Sequence, residues 1–341
     1  MITETEIKEI RQLLQNAERP LFLYDDDPDG LSSYLLLKKY CNKGRGVVVK
    51  SSPTIDQAYT KKIHEIRPDI VFILDKPIVK QEFADEAGVP IVWIDHHEPV
   101  QIENVKYFNP RKHNDKDNRP TSYWCYQITK QDHWIAACGV LGDWCIPDFL
   151  DELMKKHPGL TGPIKDPGEA LYTTNLGKLV QIFSAVLKGP TGDVNKCAAI
   201  LTKIEDPQEI LDESTPRGKY LYKKYLHVHE SYAKLLKKAK LKAKKGKLLL
   251  FTYQSQTISM TSELSNELLY LYPGKVILVG REKPDNVLIS TRSKELSLPG
   301  IIKRCLEGLD GYGGGHEHAC GGNINKKDFK IFVERFKKEV K

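Results

Sequence analysis

Three short runs, Pro20–Tyr24 (PLFLY), Asp69–Leu74 (DIVFIL) and Val89–Ile94 (VPIVWI), are apolar at nearly every position, and each is followed by an acid. A strand with one wet face alternates apolar and polar side chains. A strand apolar on both faces must be covered on both, as in a parallel sheet held between helices. Helical spacing between the runs, first over Leu31–Cys41, and another short strand at Val47–Lys50 fit that arrangement. The first half therefore reads as α/β with a parallel sheet. Ligands of such sheets gather beyond the carboxyl ends of the strands, and the acids lie there.

A loop follows at Asn109–Pro120 (NPRKHNDKDNRP), charged and carrying two prolines. Helical patterns then run from Thr121 to Lys203, broken at Pro147, Pro158, Pro163 and Pro167. The stretch Gly218–Lys245 reads as one long polar helix with little to bury alone, the kind that bridges domains. A second αβ set comes after it. Its strands are expected at Leu248–Tyr253, Val276–Arg281 and Val287–Thr291, and its helices near Ser262–Tyr270, Pro299–Glu307 and Lys327–Val340. For 341 residues two domains are the natural division. The boundaries read as 1–215 for a catalytic domain, 216–246 for a connecting helix and 247–341 for a smaller substrate-binding α/β domain.

No apolar stretch approaches the roughly 20 residues of a membrane helix. Met1–Gln15 is acidic, with Ile7, Ile10, Leu13 and Leu14 at helical spacing, unlike a signal peptide. Seven cysteines without a C-x-x-C pair read as reduced thiols, and the compartment as cytoplasm. The net charge of +7 suits an anionic partner. Eight of the fourteen residues Lys234–Lys247 are lysine, which reads either as a track for a phosphate backbone or as a solvated helix face.

The strand ends carry metal-type side chains. Asp25-Asp26-Asp27-Pro28-Asp29-Gly30 follows the first run, Asp75 the second and Asp95-His96-His97 the third, and Asp143 ends the small-residue helix Ala136–Asp143. Two divalent cations about 3.5–4 Å apart need several carboxylates, one usually shared, and a mixed aspartate–imidazole set suits Mn²⁺ better than Ca²⁺. Asp25-x-Asp27-x-Asp29-Gly30 does open like a calcium loop, but the twelfth position is Leu36, not glutamate. Near the carboxyl end, Gly311–Gly322 is dense in glycine, and bare backbone there can aim N–H groups at a phosphate. It lacks the lysine of a nucleotide P-loop, and Cys305, His316, His318 and Cys320 match no common zinc spacing. Arg292 closes the strand VLISTR, a good place for bidentate phosphate binding.

Together D-x-D-x-D-G (Asp25–Gly30), Asp75, the triplet Asp95-His96-His97, GVLGD ending at Asp143, and GGGHEHACGG (Gly313–Gly322) with Arg292 resemble the DHH–DHHA1 phosphoesterases. That group includes RecJ-type exonucleases, nano-RNases and cyclic-dinucleotide phosphodiesterases. The resemblance implies two divalent ions, Mn²⁺ first with Mg²⁺ or Co²⁺ as substitutes, held by Asp27, Asp29, Asp75, His96 and Asp143. It puts Asp75 in the bridging place and gives catalytic roles to Asp75, His96 and His97. Arg292, Gly314, Gly315 and His316 become the substrate grip of a small domain closing over the cleft.

The activity so implied is hydrolysis of terminal phosphodiester bonds in single-stranded DNA or RNA. No OB-type barrel follows the glycine segment, which favours short oligonucleotides. The alternatives are an enzyme for cyclic dinucleotides, dinucleotides or adenosine bisphosphate, and an inactive replication scaffold. A homo-oligomer is compatible with the resemblance, and a membrane partner is not expected. If the lysine stripe tracks a strand, reversing Lys237, Lys238, Lys244 and Lys245 to glutamate should slow digestion of long single strands far more than of dinucleotides. Equal loss in a side-by-side assay would assign those lysines to the solvated face.

Overall fold

In the computed structural model, residues 1–50, 53–243, 246–254 and 259–340 are described. The chain divides into two compact units, Met1–Tyr225 and Leu226–Lys341. Lys244 and Lys245 of the lysine stripe lie outside the described residues. Lys237, Lys238 and Lys240 stand in the last turn of the long helix Pro216–Lys240. Among the described residues no helix is long and apolar enough to cross a membrane. All seven cysteines are free thiols.

The first unit is built on five parallel strands. They are β1 (Pro20–Asp25), β2 (Arg45–Val49), β3 (Ile70–Leu74), β4 (Ile91–Ile94) and β5 (Lys106–Phe108), in the spatial order β2-β1-β3-β4-β5. Their register sets Tyr24 beside Leu74 and Leu74 beside Ile94, so the ends of β1, β3 and β4 lie side by side. Chain order reverses between β1 and β3. That switch point is where an open parallel sheet leaves a crevice.

Both faces of these strands are covered, as their composition requires. Leu21, Leu23, Val71, Ile73 and Trp93 pack on one side with Ile55, Ile63 and Phe83. On the other side Phe22 stacks on Phe72 and Tyr24 on Tyr34 of the next helix. The amino-terminal helix α1 (Glu4–Asn16) is capped reciprocally by Thr3 and Glu6 and buries Ile7, Ile10 and Leu14. Helix α2 (Pro28–Cys41) is buried continuously from Asp29 to Leu37, and it packs against α3 (Thr121–Thr129) and α4 (His133–Gly142). A helix enclosed so completely has little freedom to shift, so whatever sits at its first turn is held firmly.

In the second unit β6 (Leu248–Gln254) runs parallel to β7 (Val276–Glu282). Strands β8 (Asn286–Arg292), β9 (Gly311–His316) and β10 (Ala319–Asn325) are antiparallel to their neighbours, in the order β9-β10-β8-β7-β6. Helices α7 (Leu298–Leu306) and α8 (Phe329–Glu339) cover one face through Ile301, Ile302, Phe332 and Phe336. Helix α6 (Thr261–Leu271) lies on the other, where Ser265 hydrogen-bonds Ser290 at 2.8 Å. The helix α5 (Pro216–Lys240) contains the division between the units.

The glycine-dense segment forms a β-hairpin, β9 paired with β10. Glycine carries no strand signal of its own. Antiparallel pairing of β9 with β10 supplies what local propensity lacks.

One glycine decides the geometry of the first unit. A Cβ on Gly30 would stand 2.7 Å from both the backbone N and O of Asp25, so only glycine lets α2 start this close to the end of β1. Gly30→Ala should cost about 1–3 kcal/mol in thermal or denaturant melts through overpacking. Gly192→Ala, in a helix with nothing within 4 Å of the added carbon, should be neutral or slightly stabilising. Similar melting of both variants would mean that the β1–α2 approach is not a tight constraint.

Candidate metal centre

The end of β1 turns sharply into α2, and the turn aims Asp27 and Asp29 into the crevice. Asp27 is the N-cap of α2 and accepts a hydrogen bond from the Gly30 N–H at 2.9 Å. Asp29, 1% exposed, accepts from the Thr121 and Ser122 backbone N–H groups at 2.8 and 2.9 Å, so it also caps α3. Both acids stand where helix N-termini favour negative charge.

Asp75 follows β3 with φ +58°, the left-handed region that aspartate enters more readily than most residues. Its carboxylate accepts from the Thr121 hydroxyl at 3.2 Å. Asp143 is the C-cap of α4, at the negative end of a helix, where a carboxylate is disfavoured. An adjacent cation is the simplest physical reason for an acid in that place.

The two histidines follow β4 and are oriented separately. His96 Nδ1 lies 3.1 Å from the Asn118 carbonyl. A carbonyl only accepts, so Nδ1 carries a proton, and Nε2 is the ring nitrogen turned toward the acids. That Nε2 is 3.5 Å from Asp75 Oδ1 and 3.3 Å from Asp143 Oδ2. His97 Nδ1 is 2.7 Å from Asp95 Oδ1, and the His97 N–H donates to Asp95 Oδ2 at 3.0 Å. Asp95 is fully buried and also accepts from Tyr107 and Asn109. Its part is to anchor His97.

The ligand-type atoms fall into three overlapping groups, each within 4.8 Å: Asp75 with His96 and His97, Asp29 with His96 and Asp143, and Asp25 with Asp27 and Asp75. Asp75 and His96 each belong to two groups, and of these two only a carboxylate can be shared between ions. The donor set of carboxylates and one imidazole Nε2 fits hard divalent ions such as Mn²⁺ or Mg²⁺.

Electrostatics point the same way. Burial, followed by the neighbouring acids, pushes Asp27 and Asp75 well above the ordinary 3.8 and also raises Asp29. Burial opposes charge on His97, but its bond to Asp95, with Asp143 and Asp27 nearby, prevails and lifts it to about 9.

Asp27, Asp29, Asp75, His96 and Asp143, read from the sequence as ligands, thus converge on one site with His97 beside them. Arg292, Gly314, Gly315 and His316 gather in the second unit. Arg292 and His316 both pair with Ala319, flanking it. The Arg292 guanidinium is held by Asn266, Ser262 and Ser290 at 2.6–3.0 Å. Gly315 has φ +145°, and a Cβ there would lie 2.5 Å from the Ala319 carbonyl, whereas a Cβ on Gly314 meets nothing within 4 Å. Sequence reasoning missed the anchors Tyr107, Asn109 and Thr121 and the role of Asp95. It also missed Lys76, 1% exposed, whose Nζ bonds Asp25 at 2.8 Å. None of these lies in a pattern that spacing alone distinguishes from core or loop.

Two family models match the chain. A DHH family N-terminal domain matches residues 22–156, and a DHHA1 domain matches residues 248–341. This chain is a DHH–DHHA1 protein. No curated protein matches it in sequence.

Solved structures share its fold. RecJ from Thermus thermophilus, in complex with Mn²⁺, is 15% identical over 98% of this chain, with a TM-score of 0.69. The chain spans only about half of that RecJ, 54% of its length. The pGpG-specific phosphodiesterase PggH from Vibrio cholerae is 15% identical over 95% of this chain and 99% of its own, with a TM-score of 0.54. CDC45 from Entamoeba histolytica is 11% identical over 98% of both chains, with a TM-score of 0.51. The DHH domain here therefore has a phosphoesterase fold, and its crevice holds acidic and histidine groups able to bind metal.

The raised acids give a pH prediction. Between the ordinary aspartate value and their raised ones, the metal-free fold binds more protons than the unfolded chain, so stability falls as pH rises through that window. His97 acts in the same sense, its contribution fading as pH passes about 9. In chelator, the first unit should melt at a lower temperature at about pH 8 than at about pH 5.5, and Mn²⁺ or Mg²⁺ should raise the melting temperature more at the higher pH. A melting temperature in chelator that climbs over this interval would contradict the burial of these acids.

Proposed function

We propose that this DHH–DHHA1 protein is a metal-dependent phosphodiesterase that hydrolyses terminal phosphodiester bonds of single-stranded nucleic acid and favours short oligonucleotides. The observation carrying this reading is the convergence of Asp27, Asp29, Asp75, His96 and Asp143 on one crevice, with no member of the set replaced. A phosphoesterase needs these donors together, and a scaffold has no use for them. The CDC45 likeness favours a scaffold, but at 11% identity it reaches the fold alone.

Two bound divalent ions, Mn²⁺ first, would polarise the phosphoryl oxygens and make water acidic enough to attack at neutral pH. The chain's own residues do the rest. Asp27, Asp29, Asp75 and Asp143, with the His96 Nε2, would hold the ions. Asn118 fixes the His96 ring so that Nε2 points inward. His97, oriented by Asp95, is placed to donate a hydrogen bond to the scissile phosphate. Arg292 and His316, with the bare backbone at Gly314 and Gly315, are the anion-binding groups of the second unit.

A second reading, a phosphoesterase for small nucleotides such as a dinucleotide, is favoured by the PggH likeness over nearly the whole of both chains. One assay separates the two. With Mn²⁺ present, a single strand of about twenty nucleotides labelled at either end is compared with a dinucleotide. Stepwise shortening of the long strand supports the exonuclease. Turnover of the dinucleotide alone supports the second reading, and inertness toward both would leave the scaffold. In whichever assay is positive, Asp75→Ala should lower activity below roughly 5% of wild type. Survival well above that level would remove Asp75 from the bridging position.

A further inference from the structure

Lys76 is an unusual neighbour for a metal centre. It directly follows Asp75, is 1% exposed, and places its ammonium 2.8 Å from Asp25 Oδ1. Lysines are almost never buried so fully without a paired charge. Its backbone is fixed as well, because the Trp93 indole N–H donates to the Lys76 carbonyl at 2.9 Å. The same Asp25 oxygen accepts from the Asp26 N–H at 2.8 Å, so two donors already occupy it. Yet Asp25 stands close enough to Asp27 and Asp75 to serve as a ligand. What separates it from them is its partner.

Counting charge makes the consequence concrete. Asp95 is taken up by donors from His97, Tyr107 and Asn109 and belongs to none of the ligand groups. Five carboxylates remain around the crevice, on Asp25, Asp27, Asp29, Asp75 and Asp143. Subtracting one for Lys76 leaves four, the formal charge of two divalent cations.

We propose that Lys76 is a positioning residue that holds Asp25 out of metal coordination, leaving a four-carboxylate centre matched to two divalent ions. The proposal rests on the two-metal reading of this site. Without the lysine, Asp25 would become a fifth anionic ligand, and ion affinity rises with ligand charge count. An ion bound too firmly also hinders departure of a phosphate product from it, so the lysine sets affinity as well as geometry.

The test is a Mn²⁺ titration by calorimetry on the full chain, comparing wild type with Lys76→Met and with the double variant Asp25→Asn/Lys76→Met. Removing both partners of a buried pair together is often tolerated, so the double variant remains informative where the single one fails to fold. Lys76→Met should bind its first Mn²⁺ about tenfold or more tightly than wild type. The double variant should return to within about threefold of wild type. A double variant weakened by about tenfold or more would make Asp25 a true ligand and overturn the proposal. A Lys76→Met protein that folds but binds no more tightly than wild type would overturn it too. Wild type binding no Mn²⁺ at all would sink the two-metal reading itself, a result distinct from either.

Discussion

Mutual repulsion among buried carboxylates is the constraint on which the rest of the first unit depends. Burial pushes Asp27, Asp29 and Asp75 toward the neutral form, and neighbouring acids, Asp143 among them in every case, raise each further. A fold that collects them must supply compensating donors or cations. It does so with the Gly30 N–H for Asp27, two backbone N–H groups of α3 for Asp29, and the Thr121 hydroxyl for Asp75. What these neutral donors leave uncompensated is the charge itself, and divalent ions are suited to offset it.

The sheet makes the collection feasible. Neighbouring parallel strands end at the same level, so residues separated by many positions in sequence arrive at one edge without a long loop to carry them. The continuous burial of α2 then fixes the first acids relative to the sheet. The second unit solves a different problem. Its hairpin of glycines exposes backbone at one edge of a mixed sheet, while Arg292 is braced from α6 by Ser262 and Asn266. A braced guanidinium loses little freedom on meeting an anion, which is the physical advantage of arginine in such a place.

Much of this was legible in the residues. Runs such as DIVFIL and VPIVWI are apolar on both faces, and only a covered parallel sheet accommodates that, so strand positions and the edge bearing Asp75, His96 and His97 follow from sequence. Asp143 was visible as an acid ending a small-residue helix, but nothing local indicates that the end of α4 reaches the same crevice. The hairpin of β9 and β10 was not legible, since its pairing is decided by register with β8. Lys76 was hidden for a related reason. Its direction is set by the left-handed turn at Asp75, and a lysine beside a strand end reads by default as solvent-exposed.

The double duty of Asp29 bears on how an inactive form of this protein should be made. Its two oxygens each take a backbone N–H from the start of α3. An asparagine there would turn one acceptor into an NH₂ facing another N–H, so α3 would lose a cap along with the charge. A variant chosen at that position to trap bound substrate would mix a folding defect with a chemical one. Asp143, whose carboxylate is a third exposed and packs against His96, offers the cleaner place to silence the site while leaving the scaffold intact.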